Sequence, residues 1–397
     1  MKLPSAPWQQ PKEMRRLLEV LGAGSGETRF VGGCIRDTLL GIEVQDVDLA
    51  TRIAPQEVMD RLKQAGIKAI PTGLAHGTIT AVVNGRPVEV TTLRRDVSTD
   101  GRRATIAYTD DWSEDAARRD FTINALSADP ESGELFDYFG GLADVERRLV
   151  RFIGDPLSRI AEDHLRILRF FRFHARFGAG EPDPDGLTAC TARANDLMAL
   201  SRERIADELL KLLALPDPLP TVRLMVDRGI LKPVLPEAAE IDQLRLLIAN
   251  EQAAGVAPNS IRRLAALLPA DPETAASVAA RLRLSNKAAK RLVSAAVRTT
   301  GRPEQLAYWI GVSEAVDRLL IAGASLETLP ALETWQRPRL PVGGGELITM
   351  GLKPGPAVAG SLQAIERQWV EQGFPADSEA VDALVRTQLA QALREQR

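Results

Sequence analysis

Residues 29–51 read RFVGGCIRDTLLGIEVQDVDLAT, and this stretch decides how the first part of the chain is interpreted. It predicts a strand, a turn at Gly32 and Gly33, a short helix that ends near Leu40, and a second strand. Because the two glycines have no Cβ atoms, backbone N–H groups can come close to an anion there. The helix that follows aims its N-terminus, with Arg36 in the first turn, at the same anion. The pattern therefore predicts a phosphate-binding turn.

Two carboxylates lie in the second predicted strand. Asp46 and Asp48 are two residues apart, and residues i and i+2 of a strand lie on the same face. Hard cations such as Mg²⁺ prefer carboxylate oxygens, so the pair can share them. A Gly-Gly turn or an Asp-x-Asp pair alone also occurs in ordinary turns and at solvated strand edges. Their order and proximity favour a site where a triphosphate meets a metal pair.

The segments after this stretch predict a small mixed sheet with helices on one side. Strand patterns occur at 68–71, 78–83 and 88–93, and the Asn-Gly pair at 84–85 is a strong hairpin signal. In the last of these strands, Glu89 alternates with apolar neighbours and therefore faces away from them. Taken alone, it is an exposed strand carboxylate.

Two arginine-rich segments follow. The first begins RRDFTIN at Arg118, and its arginines suit polyphosphate or ribose contacts because a guanidinium grips oxyanions with two N–H groups. Asp120 and Asn124 are expected one helical turn apart on one face. The second segment is a predicted helix with polar residues at three-residue intervals: Asp163, Arg166, Arg169 and Arg172. Ion pairs on solvated helix faces are the alternative interpretation of both segments.

The composition bounds the class of protein. The chain has 397 residues, of which 45% are apolar and 26% charged, as in a globular protein of about two to four domains. The net charge of −3 is not typical of a nucleic-acid-binding protein, but arginines are concentrated in 94–119 and 147–176. No stretch approaches a membrane span and the polar start lacks a secretory apolar region, so we expect a cytoplasmic protein without a membrane partner.

Cysteine and histidine usage excludes two kinds of site. Cys34 and Cys190 are far apart and have no metal-ligand spacing, so both are expected to be reduced. The three histidines are too few for a His-rich metal hydrolase domain.

The order Gly-Gly-x-x-Arg-Asp, followed by Asp-x-Asp-Leu-Ala-Thr, resembles the signature of nucleotidyltransferases of the polymerase-β superfamily. Specifically, it is similar to the bacterial class II branch, which holds tRNA CCA-adding enzymes and poly(A) polymerases. The second arginine-rich segment matches that family's template motif, Glu-Asp-x-x-Arg followed by further arginines. The resemblance is dense over residues 28–215 and thin beyond them.

The resemblance implies a metal site and a nucleotide site. Two Mg²⁺ ions are expected on Asp46, Asp48 and Glu89, which makes these three the catalytic residues. The nucleotide site is expected to comprise Gly32, Gly33, Arg36, Arg118, Arg119, Asp120, Asn124, Asp163, Arg166, Arg169 and Arg172. Asp163 and Arg166 are expected to select the base.

The resemblance also implies an α+β fold, in which a nucleotidyltransferase head with a small mixed β-sheet is followed by an all-α C-terminal region. The expected divisions are a head at 1–145, a base-selecting neck at 146–215, a body at 216–300 and a tRNA-binding tail at 301–397. The expected partners are tRNA, CTP and ATP, and the oligomeric state is left open.

Three segments bear on the reaction. Residues 95–112 are polar and turn-rich, which predicts a long loop similar to the flexible loop that full CCA-adding enzymes possess and CC-only relatives lack. Residues 72–80 also resemble CCA-adding enzymes, and the Gly-rich run at 341–360 resembles their tails. We therefore expect template-independent CCA addition. The alternatives are an A-adding or CC-adding enzyme, a poly(A) polymerase, or a catalytically retired RNA-binding protein.

Overall fold

A computed structural model of the protein describes residues 1–100, 103–238 and 241–395, with side chains described outside 96–105 and 395. The chain divides into two compact units. The first comprises Met1–Leu212 and Pro220–Pro236, and the second comprises Leu213–Leu219 and Glu237–Arg397. The division into head, neck, body and tail stays a prediction.

The first part of the chain alternates short helices and strands and then becomes helical. Its elements are α1 Lys12–Val20, β1 Thr28–Val31, α2 Gly33–Leu39, β2 Val47–Thr51, α3 Pro55–Gln64, β3 Ala69–Gly73, β4 Thr78–Val83, β5 Arg86–Thr92, β6 Arg94–Asp100, β7 Arg103–Tyr108, α4 Trp112–Ala117, β8 Ser127–Ala128, β9 Leu135–Phe136, α5 Gly141–Glu146, α6 Pro156–Glu162, α7 Arg166–Phe177, α8 Pro184–Ala192, α9 Arg202–Leu213 and α10 Leu219–Asp227.

Helices continue through the rest of the described chain. They are α11 Asp242–Ala254, α12 Ser260–Ala266, α13 Pro272–Arg281, α14 Asn286–Ala296, α15 Pro303–Ile310, α16 Val312–Ala322, α17 Leu329–Glu333, α18 Gly344–Thr349, α19 Pro356–Glu371 and α20 Ser378–Glu395. A mixed sheet followed by helices confirms the expected α+β class.

Within the described residues, a seven-stranded sheet has the order β3-β4-β5-β2-β1-β8-β9. β2 and β5 run parallel, and the other neighbours run antiparallel. Leu49 of β2 lies opposite Val90 of β5, and both are buried. Because successive strand residues point to opposite faces, the apolar side chains of these strands anchor one face while Asp48 and Glu89 stand on the other. The parallel pair thus positions the two carboxylates.

The long loop predicted for residues 95–112 is wrong in part. β6 and β7 form a separate two-stranded sheet in which Arg94 lies opposite Tyr108 and Asp100 opposite Arg103. Residues 101 and 102 lie outside the described residues. β6 has the sequence RRDVSTD with a single apolar residue, so the short apolar alternation of β7 has no matching pattern in its partner strand.

The helix predicted to carry Asp163 and Arg166 is interrupted. α6 ends at Glu162, and Asp163 is extended, with φ −153° and ψ 105°. Its Oδ1 accepts a hydrogen bond from the backbone N–H of Leu165 at 3.1 Å, a local bond that competes with helix formation. Asp163 therefore lies before the stripe of arginines on α7 and not on the same helix.

The second unit contains a buried network of ion pairs. Arg262 and Arg263 are almost fully buried and pair with Glu251 at 2.6 and 2.8 Å. Arg262 also pairs with Asp317, which is itself fully buried and pairs with Arg291. Such a network is stable only while every member keeps its partner.

Two further features concern the cysteines and the helices that could span a membrane. Cys34 and Cys190 are both buried and free, as predicted. Over residues 1–100, 103–238 and 241–395, no helix is both long and apolar enough to cross a membrane.

Candidate active site

A cavity of about 420 Å³ in the first unit gathers most of the predicted site residues. It is lined by Gly32, Gly33, Arg36, Asp48, Arg119, Asp120, Asn124, Asp163, Arg166, Arg169 and Phe173. The predicted residues outside this lining are Asp46, Glu89, Arg118 and Arg172. A larger cavity of about 760 Å³ in the same unit is lined by residues within 4–14, 38–47 and 83–88, away from the Gly-Gly turn. The polar cavity is therefore the candidate active site.

Gly32 forms the turn between β1 and α2. Its φ of 72° and ψ of −121° are accessible to glycine and costly for any residue with a side chain. A Cβ atom there would lie 2.9 Å from Nη1 of Arg119. The missing side chain thus brings the backbone of the turn close to a guanidinium, which suits a site for an oxyanion.

Arg36 is buried beside the cavity. Its guanidinium pairs with Asp37 at 2.7 Å, donates a hydrogen bond to Oδ1 of Asn124, and lies 3.9 Å over the ring of Phe177. Only 7% of the residue is exposed. These partners hold Arg36 in one orientation at the edge of the cavity.

Asp115 forms ion pairs with both of the adjacent arginines, Arg118 and Arg119. Arg118 pairs with its Oδ1 at 2.8 Å and Arg119 with its Oδ2 at 3.4 Å. Burial opposes ionisation of Asp115, but the two arginines keep its pKa below the ordinary value. Arg119 lines the cavity, whereas Arg118 is joined to the site through its backbone carbonyl, which accepts from Arg166 at 3.2 Å. Arg119 is therefore the member of the pair that can reach a ligand.

Asp120 and Asn124 meet as predicted, but not on a helix. The chain is extended at Phe121, and a single 3₁₀ turn covers Thr122–Asn124. Asn124 Nδ2 nevertheless donates to Asp120 Oδ1 at 3.0 Å, and Arg169 pairs with Asp120 Oδ2 at 2.6 Å. Burial of Asp120 opposes its ionisation, yet Arg169 and Asn124 lower its pKa below the ordinary value.

Two of the three carboxylates of the predicted metal site lie on neighbouring strands. Asp48 is directly opposite Glu89, and Asp46 immediately precedes β2. Burial, the charge of Glu89 and, to a smaller extent, the charge of Asp46 raise the pKa of Asp48 to about 6, against the opposing effect of Arg119. Across the part of the chain that the structure describes, no three His, Cys, Asp or Glu side chains are grouped closely enough to hold a metal ion. The structure thus brings Asp48 and Glu89 together, and Asp46 and Glu89 are both exposed.

The donor set still fits a divalent cation. All three side chains present carboxylate oxygens, which are the ligands that Mg²⁺ prefers. Burial is the main cause of the raised pKa of Asp48, and repulsion from Glu89 adds to it; a cation would offset both effects.

Asp163 and Arg166 both line the cavity but do not pair with each other. Oδ2 of Asp163 accepts from Arg204 Nη2 at 2.7 Å. Arg166 pairs with Glu162 and donates to the backbone carbonyl of Arg159 at 2.8 Å. Among the described contacts, Asp163 and Arg166 therefore form no ion pair with each other, although each pairs with another residue.

Arg172 is held outside the cavity. Its Nε donates to Oε2 of Glu208 at 2.6 Å, and Glu208 is 3% exposed. Arg169 reaches the same carboxylate at 3.6 Å while pairing with Asp120. The predicted nucleotide-binding role of Arg172 has no support from its position.

Arg204 and Glu208 are the residues that sequence reasoning missed. Both lie on α9, whose Ile205, Leu209 and Leu212 are buried. Their four-residue spacing is a signal for one helix face. A charged face of this kind usually faces solvent, so nothing in the sequence pointed to partners 41 and 36 residues earlier.

Comparisons with known proteins show which families the chain is similar to. Residues 28–151 match the family model "Poly A polymerase head domain", and 181–242 match "Probable RNA and SrmB- binding site of polymerase A". The mitochondrial CCA tRNA nucleotidyltransferase 1 of Mus musculus is 34% identical over 395 residues, which cover 94% of this chain and 90% of that protein. The CCA-adding enzyme of Levilactobacillus brevis is 31% identical, covering 94% and 96%.

A solved structure is similar over nearly the whole chain. The crystal structure of Bacillus stearothermophilus CCA-adding enzyme in complex with CTP matches with a TM-score of 0.78 and 28% identity. The match covers 98% of this chain and 100% of that one.

Proposed function

The chain belongs to the CCA tRNA nucleotidyltransferase family, and we propose that it adds C, C and A to the 3′ end of tRNA from CTP and ATP without a nucleic-acid template. Its substrates are tRNA, CTP and ATP, and each addition releases pyrophosphate. One observation carries the proposal: the turn at Gly32, the carboxylate of Asp48 and the polar groups of Asp163 and Arg166 line a single cavity.

The reaction is an in-line attack of the tRNA 3′-hydroxyl on the α-phosphorus of the nucleotide. A new P–O bond forms while the bond to the pyrophosphate breaks, and the hydroxyl loses its proton. The backbone at Gly32 and Gly33, together with Arg119, is placed to hold the triphosphate, because guanidinium and backbone N–H groups both donate to oxyanions. Arg36 supports this turn from its buried position beside Asn124.

Enzymes of this family generally use divalent metal ions. We assign Asp46, Asp48 and Glu89 as the residues that would hold two Mg²⁺ ions, in keeping with their donor chemistry. When bound, such a pair lowers the pKa of the attacking hydroxyl and neutralises charge on the leaving phosphates. The chain's own part is to supply Asp48 in the cavity beside the phosphate turn, with Glu89 opposite it on β5 and Asp46 just before β2.

Base selection rests on Asp163 and Arg166. Cytosine and adenine each present an amino donor beside a ring-nitrogen acceptor, whereas uracil and guanine present a carbonyl beside a ring N–H. A carboxylate only accepts and a guanidinium only donates. The pair therefore matches C and A and opposes U and G, so a single protein site can serve both correct nucleotides.

Product lengths test the proposed function. Three tRNA transcripts are supplied, one lacking the terminal CCA, one ending in CC and one complete, with CTP and ATP alone and together. We expect two additions with CTP alone on the first transcript, one addition with ATP on the second, and none on the complete tRNA.

The alternatives give different patterns in the same assay. An A-adding enzyme extends only the transcript that ends in CC, a CC-adding enzyme stops before the A, and a poly(A) polymerase makes long A tails. No addition at all indicates a retired RNA-binding protein. The cytoplasmic location stays a prediction, since relatives of this chain include proteins described as mitochondrial.

A further inference from the structure

The carboxylate of Asp163 is oriented by two protein donors, one on each oxygen. Oδ1 accepts from the backbone N–H of Leu165 at 3.1 Å, and Oδ2 accepts from Nη2 of Arg204 at 2.7 Å. A carboxylate offers about four lone-pair sites, so roughly two stay available for a ligand. With both oxygens tied, rotation of the carboxylate about its Cβ–Cγ bond is opposed.

Among the described contacts, Arg204 is the arginine that hydrogen-bonds to Asp163, while two arginines of the cavity lining are bound to other partners. Arg166 follows Asp163 by three residues, but it is occupied by Glu162 and by the backbone carbonyls of Arg159 and Arg118. Arg169 is occupied by Asp120 and Glu208. The cation that orients Asp163 therefore comes from α9, 41 residues later in the chain.

α9 is well anchored for this task. Ile205, which follows Arg204 directly, and Leu209, one turn further along the helix, are buried. One turn after Arg204, Glu208 pairs with Arg172 at 2.6 Å and with Arg169 at 3.6 Å. α9 is therefore held against α7 by the residues next to Arg204, and the guanidinium is delivered to Asp163 from a fixed helix.

Stability alone is a weak reason for the Arg204–Asp163 pair. The side chains of both residues are 25% exposed, and ion pairs with this access to water contribute little to stability. The pair instead fixes the orientation of the Asp163 carboxylate, which is a hydrogen-bond acceptor in the cavity lining.

We propose that Arg204 is a positioning residue that fixes the Asp163 carboxylate and thereby sets the enzyme's discrimination against UTP and GTP; this rests on the proposed function. A carbonyl of a wrong base is rejected because it faces a carboxylate oxygen that cannot turn away. Once Arg204 is removed, the carboxylate can rotate away from that carbonyl. The amino group of cytosine still attracts a freed carboxylate, so addition of the correct base suffers less.

The test compares kcat/KM for CTP and UTP on a tRNA transcript lacking its CCA. In Arg204→Gln, the CTP-to-UTP ratio of kcat/KM is expected to fall about tenfold, in line with the loss of one charge-assisted hydrogen bond. Arg204→Lys keeps the charge and is expected to restore part of the ratio. Lys211→Gln is the matched control, because Lys211 lies on the same helix and pairs with the exposed Asp207.

A double-mutant cycle shows whether Arg204 acts through Asp163. Combining Arg204→Gln with Asp163→Ala is expected to lower the ratio no further than Asp163→Ala alone. An equal loss for CTP and UTP in both Arg204 variants, or a further tenfold fall in the double variant, would overturn the positioning role. The wild type separates this outcome from failure of the proposed function, because a wild type that adds no C refutes the function itself.

Discussion

Asp48 and Glu89 lie directly opposite each other on the parallel strands β2 and β5. Burial of Asp48, together with repulsion from the charge of Glu89, raises the pKa of Asp48 to about 6. The folded state therefore disfavours the ionised Asp48 relative to the unfolded chain, where its pKa is near the ordinary value. Near neutral pH the arrangement therefore lowers the free energy of unfolding, but it places two carboxylates where a cation can bind.

Asp48→Asn is expected to separate activity from stability. Nucleotide addition should fall by ~100-fold or more because a metal ligand is lost, while tRNA binding survives because phosphate contacts come mainly from arginines. Without added metal, the thermal midpoint should equal or exceed that of the wild type, since the repulsion with Glu89 is removed. Mg²⁺ should raise the midpoint of the wild type and of the control Asp60→Asn more than that of Asp48→Asn. A lower midpoint together with lost tRNA binding would indicate misfolding instead.

Gly32→Ala is expected to damage the phosphate turn. The backbone at Gly32 has a φ of 72°, and a non-glycine residue there costs about 1–3 kcal/mol of unfolding free energy, measured by urea denaturation. The new Cβ would also displace Arg119, because it would lie 2.9 Å from Nη1. We therefore expect kcat/KM for CTP to fall by about tenfold or more, roughly one lost charge-assisted contact.

Gly66→Ala is the control for that substitution. Its φ of 68° is similar, but a Cβ there meets nothing within 4 Å. It should lose stability without a comparable loss of kcat/KM. Equal kinetic losses in both variants would assign the effect to backbone strain and not to Arg119.

The sheet and the phosphate turn could be predicted from the sequence because both depend on local patterns. Alternation of apolar and polar residues and an Asn-Gly pair predict β4 and β5, and the glycine at position 32 predicts the turn. The same is true of Asp48 and Glu89, whose strands were predicted, although their register across the parallel pair was not.

The rest of the site depends on contacts between distant segments. The partner of Asp163 is Arg204 and the partner of Arg172 is Glu208, and neither pairing leaves a periodic signal in the chain. The predicted helix through Asp163 failed for a local reason, since the bond from Leu165 N–H to its carboxylate interrupts the helix. The β6–β7 hairpin was missed because β6 is polar, so the sequence shows no second apolar pattern to pair with β7.

The β6–β7 hairpin is expected to serve the final A addition. Residues 97–105 are replaced by Asn-Gly, a two-residue hairpin turn, which joins the directly paired Asp96 and Ile106. Because the resemblance links this segment to full CCA addition, both C additions should stay near wild type while A addition falls at least about tenfold, or by ~1.4 kcal/mol in activation free energy. Product lengths with CTP alone and with both nucleotides measure this. A uniform loss of C and A addition would reject the role.

The C-terminal helices are expected to hold tRNA through phosphate contacts. Lys353, Arg367 and Arg386 are exposed there, and each contact with a phosphate contributes about one unit to the slope of log affinity against log salt. Replacing Arg367 and Arg386 by Gln should raise the KM for tRNA, reduce that slope by up to about two, and leave the KM for CTP nearly unchanged. An unchanged slope would contradict the prediction.

Truncation tests the same region if the cut is placed correctly. Removing residues 300–397 would also remove Asp317 and leave the buried Arg262 without one of its partners, so the chain would be destabilised as well as shortened. A cut after Arg337 keeps α16 and its ion pairs. We expect it to raise the KM for tRNA more than the KM for CTP, whereas equal increases would indicate a general loss of structure.

The last prediction concerns how the protein chooses a base. Asp163→Ala removes the acceptor that opposes the carbonyl of uracil and guanine, a mismatch worth on the order of 1–3 kcal/mol. The variant should therefore incorporate UTP and GTP at about 10–100 times the wild-type relative frequency, while the metal site still works. Arg166→Ala should act likewise, with weaker nucleotide binding because a donor is lost. Misincorporation is read from single-nucleotide additions to a tRNA lacking its CCA. If both variants lose CTP and ATP incorporation but keep the wild-type ratio against UTP, then Asp163 and Arg166 serve only the structure of the cavity wall, through Arg204 and Glu162.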